Sequence, residues 1–132
     1  MSVEPEPPRH FLAQLDMRDV EVEGSDLSME LATAPNLANS RGALQGGLIA
    51  TLIDIVAGRL AMARVKPGES VATSDLTIHY LAPIVDGPAR AQAKVLRSGS
   101  RTVVLAVEVY DVATDRLAAV STIAFAIMRP RS

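Results

Sequence analysis

Asp54 is the residue whose surroundings first suggest chemistry, because it lies in the middle of an apolar run. It is the only Asp or Glu between Gly46 and Val65, and four hydrophobic residues flank it: Leu52, Ile53, Ile55 and Val56. Burial of a carboxylate is unfavourable unless the group is paired or faces a cavity. Asp54 is therefore either the partner of a structural cation, with Arg59 and Arg64 as candidates, or a catalytic acid. Composition alone favours neither.

Two glycines, Gly46 and Gly47, stand where the apolar run begins. The first N–H groups of a helix have no acceptor within it, and the helix dipole attracts negative charge there. Glycines at a helix start more often reflect close packing than ligand binding. Because an acid follows Gln45 by nine residues, the combination is more specific than either feature alone. The segment could hold the oxyanion of a reaction that Asp54 assists.

The sequence offers little other catalytic machinery. It has no cysteine, which removes disulfides, thiolate zinc sites and cysteine nucleophiles. Its two histidines are His10, near the N-terminus, and His79, which alternates onto the polar side of a predicted strand with Asp75 and Thr77. The sequence therefore supplies no Ser-His-Asp triad, no G-x-S-x-G elbow and no cluster of metal ligands. We therefore expect no metal or cofactor and a mechanism based on a carboxylate.

The elements that position these residues follow from the hydrophobic periodicity. The run that begins near Gly46 and ends near Lys66-Pro67-Gly68 is apolar nearly all round, which predicts one long helix covered on most sides. After it the period changes to two and predicts four strands, within 76–80, 91–95, 103–109 and 117–127. The linkers 98–100 and 111–115 are short enough for hairpins, so this part of the sheet should be antiparallel.

The N-terminal part predicts less regular elements. A short amphipathic segment surrounds Phe11, and the alternation in 20–31 changes parity at Gly24-Ser25, which indicates a bulge or a tight turn. Proline, asparagine and glycine predict irregular structure in 34–45. Together, the predicted elements indicate an α+β fold in which an antiparallel β-sheet of four or five strands wraps one long central α-helix. We expect one domain over 11–132 and a disordered tail over 1–10.

Composition limits the partners and the location. With 48% apolar but only 3% aromatic residues, the single core of a 132-residue chain must consist of Ala, Val, Leu and Ile. The net charge of −2 comes without a basic stripe, so no nucleic-acid partner is expected. The acidic N-terminus is unlike a secretory signal, and three charged residues interrupt the apolar run before it could span a bilayer. We expect a cytoplasmic protein without a membrane partner.

The stretch NSRGALQGGLIATLID, residues 39–54, resembles the pattern of Asn, Gly, His-Gly-Gly and Asp in PaaI-like hotdog-fold thioesterases, which hydrolyse acyl-CoA thioesters. The resemblance continues in SDLTIHYLAP and RSGSRTVVLAVEVYD and covers 31–128, with the helix and strands in the same order. It implies the hotdog fold, in which the sheet wraps the helix. It also implies hydrolysis of an acyl-CoA substrate without a cofactor.

The resemblance assigns roles to individual residues. Asp54 would activate water or attack the thioester carbonyl, while the N–H of Gly46 polarises the carbonyl oxygen. Asn39 would orient water or the carboxylate, and Thr73 corresponds to a Ser or Thr on the next strand. The family's usual His is Gln45 here, a neutral side chain that still donates and accepts hydrogen bonds. We expect activity to persist, with a changed rate or substrate preference.

A second group of residues is implied to bind the substrate. It contains Gly47 and the residues of a predicted strand turn: Arg97, Ser98, Gly99, Ser100 and Arg101. Two arginines suit the phosphates at the nucleotide end of coenzyme A. Without the resemblance, an ordinary solvated hairpin explains this turn as well.

The resemblance also implies assembly into a homodimer, or a homotetramer built as a dimer of dimers, with each site between two subunits. Such pairing would cover an exposed edge strand. Two other functions stay open. One is a hydratase or dehydratase of acyl thioesters, which would need a second acid–base group that Gln45 does not supply. The other is a non-catalytic acyl-CoA-binding module, in which Asp54 is structural. Aromatic, short-chain and medium-chain acyl groups are all compatible with the sequence.

Overall fold

The computed structural model of the protein describes residues 10–130. Its elements follow the chain as a 3₁₀ helix Phe11–Gln14, β1 Met17–Val20, β2 Leu27–Leu31, a second 3₁₀ helix Pro35–Leu37, α1 Gly46–Met62, β3 Ser70–Tyr80, β4 Ala89–Ser98, β5 Thr102–Asp111 and β6 Arg116–Met128. The predicted tail falls outside the described residues except for His10. That residue is the N-cap of the first 3₁₀ helix, and its Nδ1 accepts a hydrogen bond from the backbone N–H of Leu12 at 3.2 Å.

The strands form one antiparallel sheet in the order β1-β2-β4-β5-β6-β3. The four predicted C-terminal strands and both predicted hairpins are confirmed. Of the two alternatives at Gly24-Ser25, the turn is correct: β1 and β2 pair with each other, and Gly24 has φ +87° in the turn between them. This pair brings the sheet to six strands rather than four or five.

Helix α1 packs across one face of the sheet, as an element that is apolar nearly all round must. Eight of its seventeen residues are buried: Leu48, Ile49, Leu52, Ile53, Val56, Ala57, Leu60 and Ala61. On the sheet, alternate residues of β5 face the helix and are fully buried: Val103, Leu105, Val107 and Val109. The single core is mostly aliphatic, as the composition predicts, although Met29 and Phe125 also belong to it, and the architecture is the expected α+β hotdog fold.

Two local predictions differ from the structure. The helix begins at Gly46 as predicted but ends at Met62, earlier than the expected end near residue 66. Residues 63–69 form the turn in which the chain reverses direction into β3. In this turn Gly68 has φ +85°, and the Glu69 carboxylate accepts a hydrogen bond from the Lys66 N–H at 2.9 Å. The segment 34–45 is not wholly irregular, since it contains the second 3₁₀ helix and a bridge between Ala38 and Leu44. Within 10–130, none of the helices is long and apolar enough to cross a membrane.

Candidate active site

Asp54 lies half-buried on α1 and lines a cleft of about 540 Å³ between the helix and the sheet. Its Oδ1 accepts a hydrogen bond of 2.7 Å from the hydroxyl of Thr73 on β3. Within 10–130, no other side chain donates to this carboxylate, and no cation lies within 4 Å of it. Asp54 is therefore a cavity-facing carboxylate held by a neutral donor rather than one half of an ion pair.

Arg59, the first candidate for a structural ion pair with Asp54, is bound elsewhere. Its guanidinium donates to both carboxylate oxygens of Asp19 on β1, at 2.6 and 2.9 Å. These hydrogen bonds lower the pKa of Asp19 below its usual value and raise the pKa of Arg59. A planar guanidinium that matches two oxygens in this way favours Asp19 over a single contact with Asp54. Arg64 forms no ion pair within the described residues either. Of the two alternatives for Asp54, the structural ion pair is therefore wrong.

A β-bulge aims Thr73 at the carboxylate. The pairing of β3 with β6 slips between Thr73 and Asp75, so that Ser74 is the extra residue. Bulges reorient side chains next to functional sites. Here Thr73 lines the same cleft as Asp54, although alternation along β3 would not have indicated this. The structure thus brings together two of the predicted catalytic residues.

The N-terminus of α1 forms a different surface. Gln45 is the N-cap residue without a side-chain capping bond, and the amides of Gly46 and Gly47 donate no hydrogen bond within 10–130. The hydroxyl of Tyr80 donates to the Gly46 carbonyl at 2.7 Å. A Cβ at Gly46 would come within 3.3 Å of the Tyr80 ring, whereas a Cβ at Gly47 would meet nothing within 4 Å. Close packing and open amides are therefore both present at Gly46, and sequence reasoning did not identify Tyr80.

Asn39 lies beside this helix start, in a cleft of about 530 Å³ that Gly46 and Tyr80 also line. Its side-chain Oδ1 accepts hydrogen bonds from the backbone N–H groups of Arg41 at 2.9 Å and Ala43 at 3.2 Å. The oxygen thus shapes the loop, in an Asx-type arrangement, and only the amide NH₂ stays available to a ligand. The Gln45 side chain is exposed and lines neither this cleft nor the one at Asp54.

Four of the five predicted catalytic residues therefore form two groups within one chain. Gly46 and Asp54 are eight residues apart on α1, which places them about 12 Å apart along the helix axis. Gly46 and Asn39 line one cleft, and Asp54 and Thr73 line the other. A single carbonyl group cannot reach both groups of the same chain.

The turn between β4 and β5 presents its arginines to solvent. Arg97 and Arg101 are exposed, and neither forms an ion pair within the described residues. The turn is closed by the Gly99 N–H, which donates to the Thr102 carbonyl at 2.8 Å. Arg129, which sequence reasoning did not identify, donates to the Ser100 carbonyl at 3.2 Å, but its charge is paired with the Glu69 carboxylate at 3.6 Å.

The strand register relates this turn to the Asp54 cleft. Thr73 pairs with Phe125, Phe125 with Val103, and Val103 with Ser98. Three strand spacings separate Thr73 from Ser98, a distance of about 14 Å across the sheet. The exposed arginines therefore lie at the same end of the sheet as the Asp54–Thr73 pair but well away from it.

Comparison with known proteins identifies the class. The sequence model of the thioesterase superfamily matches residues 41–118. A candidate esterase of Saccharolobus solfataricus is 33% identical over 97 residues, which are 74% of this chain and 69% of that protein. The chain therefore belongs to the thioesterase superfamily, and thioester hydrolysis is the reaction class that this membership supports.

Two solved structures are similar to this one. A Bacillus halodurans protein, crystallised with CoA, is 29% identical with a TM-score of 0.72, over 76% of this chain and 66% of that one. A Haemophilus influenzae thioesterase has a TM-score of 0.82 over 89% of this chain and 82% of that one. At 16% identity, the second comparison supports the fold alone.

Proposed function

We propose that the protein hydrolyses acyl-CoA thioesters and that Asp54 is the catalytic carboxylate. The observation that carries this proposal is the Asp54–Thr73 pair in the cleft beside α1. The hydroxyl holds Oδ1, and Oδ2 accepts no hydrogen bond from residues 10–130. A carboxylate that lacks a cation partner, with one oxygen fixed and one available, is suited to take a proton from water or to attack a carbonyl carbon.

The reaction needs two kinds of protein group. In the general-base form, Asp54 takes a proton from water as the water oxygen attacks the thioester carbon, and negative charge develops on the carbonyl oxygen. In the nucleophilic form, the carboxylate attacks first and water then cleaves the resulting anhydride. In both forms the C–S bond breaks, and CoA leaves as a thiolate that is then protonated. The Gly46 amide is the proposed donor to the oxyanion, a contribution typically of about 3–4 kcal/mol.

A complete site requires two subunits. The reacting carbonyl must lie about 3 Å from both the attacking group and the oxyanion donor, but Asp54 and Gly46 of one chain line separate clefts. We therefore place Asp54 of one subunit opposite Gly46 of the partner subunit. Asn39, which lines the same cleft as this glycine, and Gln45, which directly precedes it, would orient the substrate from the same side.

The edge strand β3 provides the surface for this assembly. It is eleven residues long, and none of them is buried, whereas β1 at the opposite edge has only four residues. A long exposed edge invites pairing with another strand. Pairing of two β3 strands gives a symmetric homodimer, and two such dimers would form a homotetramer.

The arginines of the β4–β5 turn are proposed to bind the phosphates of CoA. Arg97 and Arg101 are exposed, and their turn lies about 14 Å from Thr73 across the sheet. A long substrate such as CoA needs contacts far from the thioester. The Bacillus halodurans structure with CoA supports this ligand class.

A non-catalytic acyl-CoA-binding module is the second candidate, favoured by the exposed Gln45 in place of a histidine. A panel of acyl-CoAs, assayed for thiol release and for binding, separates the two functions. Release from at least one acyl-CoA, lost in Asp54→Asn, is the result expected of an enzyme. Binding of every member without release would make the protein a binding module.

A further inference from the structure

The cleft at Asp54 continues along α1 as an apolar groove. Asp54, Gly58 and Met62 follow one another at intervals of four residues, so they lie in one row on the helix surface. Val71 and Phe125 line the cleft from the sheet. Beyond the Asp54–Thr73 pair, the lining is apolar except for one arginine.

Gly58 leaves a gap in the wall of this groove that is about the size of one methyl group. A Cβ at position 58 would meet two ring carbons of Phe125 at 3.6 Å, an ordinary van der Waals contact. Packing therefore does not require a glycine here, in contrast to Gly46. Glycine in a helix interior is also less favourable than alanine. A residue that lowers stability without a packing reason is typical of a place where function needs the space.

Arg59, the one cation in the groove lining, is already neutralised. Both of its terminal nitrogens donate to the Asp19 carboxylate, at 2.6 and 2.9 Å. An acyl chain that ends in a carboxylate would find no free cation there and would lie in the same cleft as the negative charge of Asp54. The groove is therefore suited to uncharged chains.

We propose that this groove is the acyl-binding subsite and that it takes an uncharged, straight apolar acyl chain, with the methyl-sized gap at Gly58, beside Phe125, determining how long a chain fits. This proposal rests on the proposed thioesterase function, since the chain enters from the thioester held at Asp54.

The first test is the chain-length profile of the wild-type protein, from acetyl-CoA to decanoyl-CoA. Burial of one methylene changes affinity by up to about fourfold. The value of kcat/KM should therefore rise by up to about fourfold for each added methylene and then level off where the groove ends. Succinyl-CoA should be a poorer substrate than butanoyl-CoA, which has the same number of acyl carbons. A flat profile would overturn the proposal.

Gly58→Ala tests the gap itself. The added methyl group should lower the octanoyl-to-acetyl ratio of kcat/KM by about tenfold or more, because it occupies space that the longer chain needs. Thermal stability should be unchanged or higher, since alanine favours the helix. A purely structural role for Gly58 would instead lower stability and leave the ratio unchanged, and that result would overturn the proposal.

Two exposed methionines provide a matched pair for the far end of the groove. Met62, 46% exposed, lines the groove, whereas Met128, 50% exposed, does not. Met62→Ala should lower the octanoyl-to-acetyl ratio several-fold, and Met128→Ala should leave it unchanged. Equal effects of the two substitutions would contradict the assigned path of the chain.

Calorimetric binding separates failure of the groove from failure of the proposed reaction. If wild-type protein hydrolyses no acyl-CoA, the affinities for acetyl-CoA and octanoyl-CoA can be measured directly. Tighter binding of octanoyl-CoA that is lost in Gly58→Ala would support the groove while removing the catalytic function. Equal affinities for both ligands would overturn the groove.

Discussion

The first turn of α1 and its middle offer opposite chemistry from one helix. At the first turn, the groups available to a ligand are the backbone amides of Gly46 and Gly47. In the middle, the available group is the Asp54 carboxylate, held by Thr73. One region offers hydrogen-bond donors for a developing negative charge, and the other offers a base. About 12 Å of helix separates them, so each region is half of a site.

The difference also determines how each half can be disrupted. A side chain can be neutralised by a single isosteric substitution, whereas a backbone amide is removed only by proline. The two regions therefore call for different variants, and comparing their effects tests whether they contribute to one reaction.

Asp54→Asn should produce the largest loss. The amide cannot act as a base, so kcat should fall by about two orders of magnitude or more, while the hydrogen bond from Thr73 and the fold are retained. Steady-state thiol release and a thermal melt would measure both properties. Near-normal turnover in the folded variant would exclude Asp54 as the catalytic carboxylate.

Gly46→Pro should produce a loss of a similar order, because it deletes the proposed oxyanion donor. Gly46 is the first helical residue, where proline is tolerated, and Gln45 has φ −60° and ψ 136°, a conformation compatible with a following proline. We expect kcat to fall about 100-fold. Gly46→Ala is the matched control, because it adds a Cβ against the Tyr80 ring but keeps the N–H. Equal losses in the two variants would show that crowding against the Tyr80 ring, rather than loss of the N–H group, causes the effect.

Gln45→Ala should cost less than either change, and Gln45→His should be tolerated. The Gln45 side chain is exposed and lines neither cleft, so we expect it to position substrate rather than take part in bond breaking. The loss in kcat/KM measures this role. A loss as large as that of Asp54→Asn would make Gln45 a direct participant.

The smallest expected effect is on stability, and it concerns the ion pair between Asp19 and Arg59, the one arginine in the groove lining. Because the pKa of Asp19 is lowered by Arg59, the pair stabilises the fold fully above the unfolded-state pKa, and this contribution is lost as pH falls through the lowered value. Both groups are about half exposed, so Asp19→Asn should cost at most about 1 kcal/mol at pH 7 and less at pH 3. Urea unfolding at both pH values tests this, with the exposed Asp16→Asn as control. A cost that grows on acidification would contradict the assignment.

The sequence predicted the elements better than it predicted the contacts between them. Periodicity identified the helix and four strands because each pattern is local. The partner of Arg59 is forty residues away on β1, and the contact of Tyr80 with Gly46 depends on where the helix crosses the sheet. Likewise, the bulge that aims Thr73 at Asp54 is a property of pairing with β6. Such non-local contacts cannot be read from spacing along the chain.

The resemblance identified the candidate site residues, but not how they divide between two clefts. Asp54 and Thr73 were named as members of one catalytic set with Asn39 and Gly46. The structure brings them together only in pairs. Whether one site combines both pairs stays a prediction, which requires a second copy of the chain.

Mixing two inactive variants tests that prediction most directly. Asp54→Ala and Gly46→Pro should each be inactive alone. If one site takes Asp54 from one subunit and Gly46 from the other, a hybrid dimer contains one intact site and one doubly damaged site. Random reassociation of equal amounts makes about half of the dimers hybrids, so activity should recover to about a quarter of wild type. With subunit exchange verified by differently tagged chains, zero recovery would contradict a shared site and place each site within one chain.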